Sequence, residues 1–141
     1  MPVPGGMSVV VTSVASDSHT WNLVYLQLVL TELGHCVRNL GPCVPGRLLL
    51  DECRRDRPDL IVVSTVNGHG LLDGTRLIAD IRRCPELAAT PVVIGGKLGV
   101  RGSDRQRREW LLAAGFTEVF EETGAAAVLP FLARLTESVL R

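Results

Sequence analysis

The sequence predicts an α/β fold of the flavodoxin-like (Rossmann-like) type, a doubly wound five-stranded parallel sheet in the order 2-1-3-4-5. Three observations predict it. Short apolar runs alternate five times with segments of helical periodicity. The runs are apolar almost throughout rather than at every second residue, as expected of strands buried on both faces. The chain has 141 residues, 46% hydrophobic and 21% charged, which suits one compact domain over 1–141 with 1–7 flexible. Strict β/α alternation places the strands parallel and the helices on both faces of the sheet.

Each element has its own signal. The segment 8–14 (SVVVTSV) reads as a buried first strand. Leu23, Leu26, Leu30 and Leu33 recur at helical spacing, and Gly34 stops that helix. Residues 36–40 form a short second strand, followed by a helix over about 46–57. Pro58 and Asp59 punctuate before 60–64 (LIVVS), the third strand. A third helix over about 72–83 carries Leu77, Ile78 and Ile81, and 91–95 (PVVIG) is the fourth strand. Ser103 with Gln106 three residues later is a capping box opening the next helix, which Gly115 ends. Residues 117–120 make the fifth strand. Val128, Phe131, Leu132, Leu135 and Val139 stripe a last helix with Pro130 in its first turn.

Charge and composition exclude several classes. Fifteen Lys and Arg balance fifteen Asp and Glu, whereas duplex binding calls for a basic excess, so no nucleic-acid partner is expected. No apolar run approaches the ~20 residues that span a bilayer. The N-terminal MPVPGG lacks the basic start of a signal peptide. The expectation is a cytoplasmic protein with no membrane partner. Cys36, Cys43, Cys53 and Cys84 contain no CxxC pair, so they are expected as free thiols acting as small hydrophobes rather than zinc ligands. His35 and His69 are expected as surface or loop histidines, and Arg105, Arg107 and Arg108 as a solvated helix face.

In the order 2-1-3-4-5 the chain reverses between strands 1 and 3, and ligands bind beyond the carboxyl ends there. The informative segments are therefore 15–22 (ASDSHTWN), 64–70 (STVNGHG) and 95–102 (GGKLGVRG). A phosphate-accepting receiver domain needs an Asp at the end of strand 3, where this chain has Ser64. Flavin mononucleotide needs a phosphate cradle after strand 1, where Asp17 would repel the phosphate. The GxGxxG of a dinucleotide site is missing. A metal reading survives: His19 follows Asp17 by two residues, and a ligating imidazole commonly gives its other N–H to a carboxylate. One His and one Asp cannot build an all-protein cage. They can supply one axial ligand to a metal already held by a macrocycle.

Those residues carry a specific resemblance. Asp17-Ser-His-Thr-Trp-Asn22, Ser64-Thr-Val66 and Gly95-Gly96 resemble the DxHxxG, SxL and GG signatures of cobalamin-binding domains. Over 8–140 the chain is similar to the small (sigma) subunits of glutamate mutase, also called methylaspartate mutase. The resemblance implies adenosylcobalamin bound with its dimethylbenzimidazole displaced from cobalt and its nucleotide tail in a slot between strands 1 and 3. It implies His19 as the lower axial cobalt ligand and Asp17 as its hydrogen-bonded support, with Ser16, Ser18, Thr20 and Asn22 in the same loop. Ser64 would face the benzimidazole nitrogen, with Thr65 and Val66 lining the slot. Gly95 and Gly96 would let the backbone approach the tail, flanked by Lys97, Leu98 and Gly99.

The same resemblance implies a two-component isomerase interconverting L-glutamate and 3-methylaspartate. A separate large TIM-barrel subunit would cover the upper corrin face, and this chain alone would hold no catalytic residue. The alternatives are a corrinoid carrier of a methyltransferase system and a non-catalytic cobalamin sensor. Both usually carry further domains, and only seven residues precede strand 1 in this sequence. Two positions depart from the signatures. Val66 replaces Leu and keeps an apolar wall. Asn22 replaces the final Gly, and is expected to cap the following helix or adopt positive φ with its side chain turned away from the slot.

Overall fold

The structure, a computed structural model, describes residues 6–99 and 102–120. Five strands, β1 (Ser8–Thr12), β2 (Cys36–Asn39), β3 (Leu60–Thr65), β4 (Val92–Gly96) and β5 (Glu118–Phe120), form one sheet in the order β2-β1-β3-β4-β5. Every pairing is parallel. Helices α1 (Trp21–Glu32), α2 (Gly46–Arg55), α3 (Gly70–Arg83) and α4 (Asp104–Ala114) join them, with a 3-10 turn at Pro85–Leu87. The predicted fold class and strand order are therefore those observed. The predicted last helix lies outside the described residues.

Alternate residues of β1, β3 and β4 feed two cores. Val9 and Val11 of β1 join Leu60, Val62 and Val93 under Leu23, Leu26 and Leu30 of α1. Val10 faces the other way, with Ile61, Val63 and Ile94, against Leu49 of α2, Leu77, Ile78 and Ile81 of α3 and Leu111 of α4. All six residues of β3 are buried, as a central strand covered on both faces requires. Each fully buried Leu or Ile contributes about 1.5–3 kcal/mol of apolar transfer, so these two layers hold the helices where local propensity alone would not.

Boundaries differ from expectation where side chains and carbonyls find other partners. The first strand stops at Thr12 because Ser13 turns its hydroxyl to Gly41 O at 3.0 Å and Val14 O accepts from Asp17 N at 3.1 Å. α2 ends at Arg55, before the position preceding Pro58, where the helical conformation is disfavoured. α3 starts at Gly70, two residues earlier than expected, because Leu71 N donates to Leu98 O at 2.7 Å. The Ser103 capping box is present: Gln106 N donates to Ser103 Oγ at 3.1 Å and Ser103 N to Gln106 Oε1 at 3.0 Å.

Two surface expectations, and the expectation for the cysteines as small hydrophobes, are corrected. His35 is buried and its Nδ1 accepts from Met7 N at 3.0 Å, so it seals the start of β1 instead of lying in solvent. Arg107 is also buried, donating to Gly102 O at 2.8 Å and to Asp104 Oδ1 at 2.5 Å. It braces the turn into α4, because its aliphatic stem packs inward while its guanidinium satisfies the loop. Of the cysteines only Cys53 is a core residue; burial pushes its thiol up to about 11, against a smaller lowering by Arg38. Cys36 and Cys43 are exposed free thiols, and Cys43 takes positive φ (52°). Among the described residues no helix is long and apolar enough to cross a membrane.

Candidate functional site

The loops after β1, β3 and β4 meet at the carboxyl edge of the sheet, and Asp17 is their common point. Its backbone N bonds Val14 O, and its carbonyl accepts from Cys43 N at 2.8 Å. Its carboxylate is buried, only 1% exposed. Oδ1 accepts from His19 N at 2.9 Å and from the His19 ring at 2.7 Å. Oδ2 accepts from Thr65 Oγ1 and from Val66 N, both at 2.7 Å. Burial alone would raise this carboxyl. The His19 N–H, the Thr65 hydroxyl, the Val66 N–H and the His19 ring outweigh it and bring the pKa down to about 2.

An ionised carboxylate only accepts, so Nδ1 of His19 carries the proton in this contact. In the neutral ring the lone pair is then on Nε2, the form in which imidazole binds a metal. The His19 side chain is 59% exposed. The arrangement thus pairs an anchored, buried carboxylate with an outward imidazole of fixed tautomer. Among the described residues no cluster of three His, Cys, Asp or Glu forms a metal cage. What the site offers a metal is one nitrogen.

The other predicted positions divide. Thr65 and Val66 touch Asp17 directly, whereas Ser18 and Thr20 are exposed, Thr20 standing at the N-terminal cap of α1 without a side-chain cap bond. Ser64 and Thr65 pair in register with Gly95 and Gly96. A Cβ on Gly96, at φ 119°, would lie 1.9 Å from Thr65 O. Glycine at 96 is therefore demanded by the β3–β4 contact itself, which precedes any need of a ligand. Lys97 is exposed, but its carbonyl accepts from Gly68 N at 3.2 Å. Leu98 is fully buried in the core under the start of α3. Gly99 lies against the Arg107 side chain. Val100 and Arg101 of this loop lie outside the described residues.

Asn22 departs from expectation. α1 begins at Trp21 and Val24 N bonds Thr20 O, so Asn22 is the second helical residue and not a cap. Its φ is not positive. The side chain turns inward, with Nδ2 donating to Ser64 Oγ at 2.6 Å, which ties α1 to the end of β3.

Sequence reasoning also missed Asn67 and Asp73. Asn67 Nδ2 donates to Ser16 O at 3.2 Å and Ser16 Oγ at 3.0 Å, and Ser16 Oγ donates to Asp73 Oδ2 at 2.5 Å. These bonds strap the first loop to the second and to α3. Asn67-Gly68 carries a turn signal, and nothing local distinguishes a turn-former from a strap.

Comparisons with known proteins accord with this edge. Residues 7–128 match the family described as the B12 binding domain. The chain is 31% identical over 127 residues to the glutamate mutase sigma subunit of Halobacterium salinarum, covering 86% of this chain and 82% of that one. Among solved structures it is similar to a cobalamin-binding protein from Desulfitobacterium hafniense, with a TM-score of 0.72 at 19% identity over 92% of this chain. The match spans 58% of that longer chain. It is similar in fold to a response regulator from Chloroflexus aurantiacus as well, with a TM-score of 0.71 at 19% identity, covering 96% of this chain and 99% of that one. Fold alone does not separate carrier from receiver, but β3 (LIVVST) contains no carboxylate. With the family match across most of its length and the Asp17–His19 pair at the switch point, the chain belongs to the B12-binding domain family.

Proposed function

We propose that this chain is the cobalamin-carrying subunit of an adenosylcobalamin-dependent carbon-skeleton mutase, interconverting L-glutamate and 3-methylaspartate together with a separate large TIM-barrel subunit. The observation that carries the reading is the hydrogen bond from His19 Nδ1 to buried Asp17. The similarity to a glutamate mutase sigma subunit supports the choice of reaction.

The donor set fits the lower face of a corrinoid: one neutral nitrogen, Nε2 of His19, and no competing cage among the described residues. His19 would bind cobalt from below. Asp17 fixes the ring's tautomer and rotation and increases its donor strength. Thr65 and Val66 hold Asp17 in turn, so the ligand is tied through two steps to the central strand. Ser64 would meet the displaced base of the tail, with Gly95 beside it in register. Ser16, Ser18, Thr20, Lys97 and Gly99 would border the cofactor, with Leu98 supporting the β4 loop from the core. When bound, adenosylcobalamin supplies the 5′-deoxyadenosyl radical that starts the rearrangement. The described residues of this chain offer the lower side only, so substrate binding and exclusion of water above the corrin fall to the large subunit.

The test is reconstitution. With adenosylcobalamin and glutamate the isolated chain should give no methylaspartate, and a glutamate mutase large subunit should restore turnover. Methylaspartate formed by the chain alone overturns the two-component reading. Turnover only on a different substrate overturns the glutamate assignment.

A further inference from the structure

Asn22 and Ser64 are 42 residues apart in sequence, yet their side chains meet at 2.6 Å, Nδ2 donating and Oγ accepting. An amide and a hydroxyl can pair in two directions. Were the hydroxyl to give its hydrogen to Oδ1, Ser64 would offer a ligand lone pairs only. The structure holds the other direction. Asn22 Oδ1 is buried with no hydrogen-bond partner, and among the described residues no acceptor takes the Ser64 hydrogen. Ser64 follows Val62 by two residues on the face of β3 that packs under α1. Its partner in register on β4 is Gly95, which has no side chain to accept that hydrogen. Ser64 is only 6% exposed, and a poorly solvated donor without a partner is a cost that an incoming acceptor removes.

We infer, resting on the cofactor reading above, that Asn22 is a positioning residue that fixes Ser64 as a hydrogen-bond donor. It thereby favours corrinoids whose lower base presents an acceptor nitrogen. Nδ2 fills one lone pair of Oγ, which turns the hydroxyl hydrogen away from Asn22 and, by polarising the O–H bond, strengthens its donation. A benzimidazole freed from cobalt exposes an sp2 nitrogen that accepts this hydrogen while Asn22 keeps its own bond. A phenolic lower base has no such nitrogen and leaves the hydrogen unfilled. The effect of Asn22 passes through Ser64 and not through the Asp17–His19 pair.

The test reads a ratio of affinities: hydroxocobalamin, with its benzimidazole, over a cobamide whose lower base is p-cresol, both titrated by corrin absorbance. A loss of folded protein weakens both ligands and leaves the ratio alone. The cost of freeing benzimidazole from cobalt is the same for every protein compared. Asn22→Ala, which keeps good helix propensity, should lower the ratio about two- to tenfold, the effect of one neutral hydrogen bond. Asn22→Asp keeps the shape, but an ionised carboxylate only accepts and takes the Ser64 hydrogen. It should lower the ratio at least as far. In a Ser64→Ala background, Asn22→Ala should change the ratio by less than about twofold. An unchanged ratio in Asn22→Ala, a fall that persists without Ser64, or a ratio raised by Asn22→Asp overturns the positioning role and leaves the cofactor reading intact. Failure of the native chain to bind either cobamide overturns the cofactor reading, and the positioning role with it.

Discussion

Asp17 and His19 form a pair of opposite exposure: the carboxylate is 1% exposed and the imidazole 59%, joined by a 2.7 Å hydrogen bond. The buried member is held by β3 through Thr65 and Val66, and the exposed member is the group available to a ligand. Rigidity and reactivity are thereby assigned to different residues.

Asp17→Asn tests that division. The amide keeps the shape, but its NH2 must face either His19 or the Thr65 and Val66 donors, so at least one donor loses its acceptor. We expect a loss of about 1–3 kcal/mol in stability and a weakening of cobalamin binding of roughly 10–100-fold. Denaturant midpoints and absorbance titrations measure the two effects. Unchanged affinity would mean that Asp17 serves the fold alone.

Stability should fall in two acid steps. The folded pKa of His35 is lowered by burial, and its Nδ1 accepts from Met7 N only when unprotonated. Its contribution is therefore present above its ordinary value of 6.5 and declines as pH falls below that. Asp17, at about 2 when folded against 3.8 ordinarily, contributes about 2 kcal/mol above pH 4 and loses it as pH falls toward 2. Denaturant melts from pH 8 to pH 2 should show His35→Gln flattening the first step and Asp17→Asn the second. A single step untouched by either variant would contradict the assignment.

Gly96→Ala should disrupt the edge far more than Gly41→Ala. A Cβ at 96 meets Thr65 O at 1.9 Å, whereas at 41 there is nothing within 4 Å and only the φ of 89° resists. We expect about 1–2 kcal/mol at 41 and more than ~3 kcal/mol at 96, where main chain must move. Thermal midpoints decide. Equal losses would mean that the β3–β4 approach yields more readily than its packing indicates.

The legible and illegible parts of the sequence divide by the range of the interactions. Strand order follows from apolar runs such as 60–64 and their alternation with helical stripes, because burial on two faces writes itself locally. The Ser103–Gln106 box is readable for the same reason, since both partners lie within one turn. Asp17 and His19 are two residues apart, so their pairing is within reach of a local reading, and the resemblance to the cobalamin-binding signatures is what singles it out. Asn22–Ser64 and Asn67–Ser16 are set by how the sheet brings distant loops together, and no local pattern announces them. His35 and Arg107 escape a reading by residue type, which suggests solvent, whereas each finds a backbone partner inside.

The most direct test of the central claim is the identity of the nitrogen on cobalt. The chain, prepared with natural-abundance and with nitrogen-15-labelled protein, is loaded with unlabelled cob(II)alamin, and the electron paramagnetic resonance spectra are compared. With His19 as the lower ligand, the superhyperfine pattern changes with the label, and His19→Ala abolishes that dependence. A pattern indifferent to the label would leave the cofactor's own benzimidazole on cobalt and contradict the role of the Asp17–His19 pair as axial ligand and support.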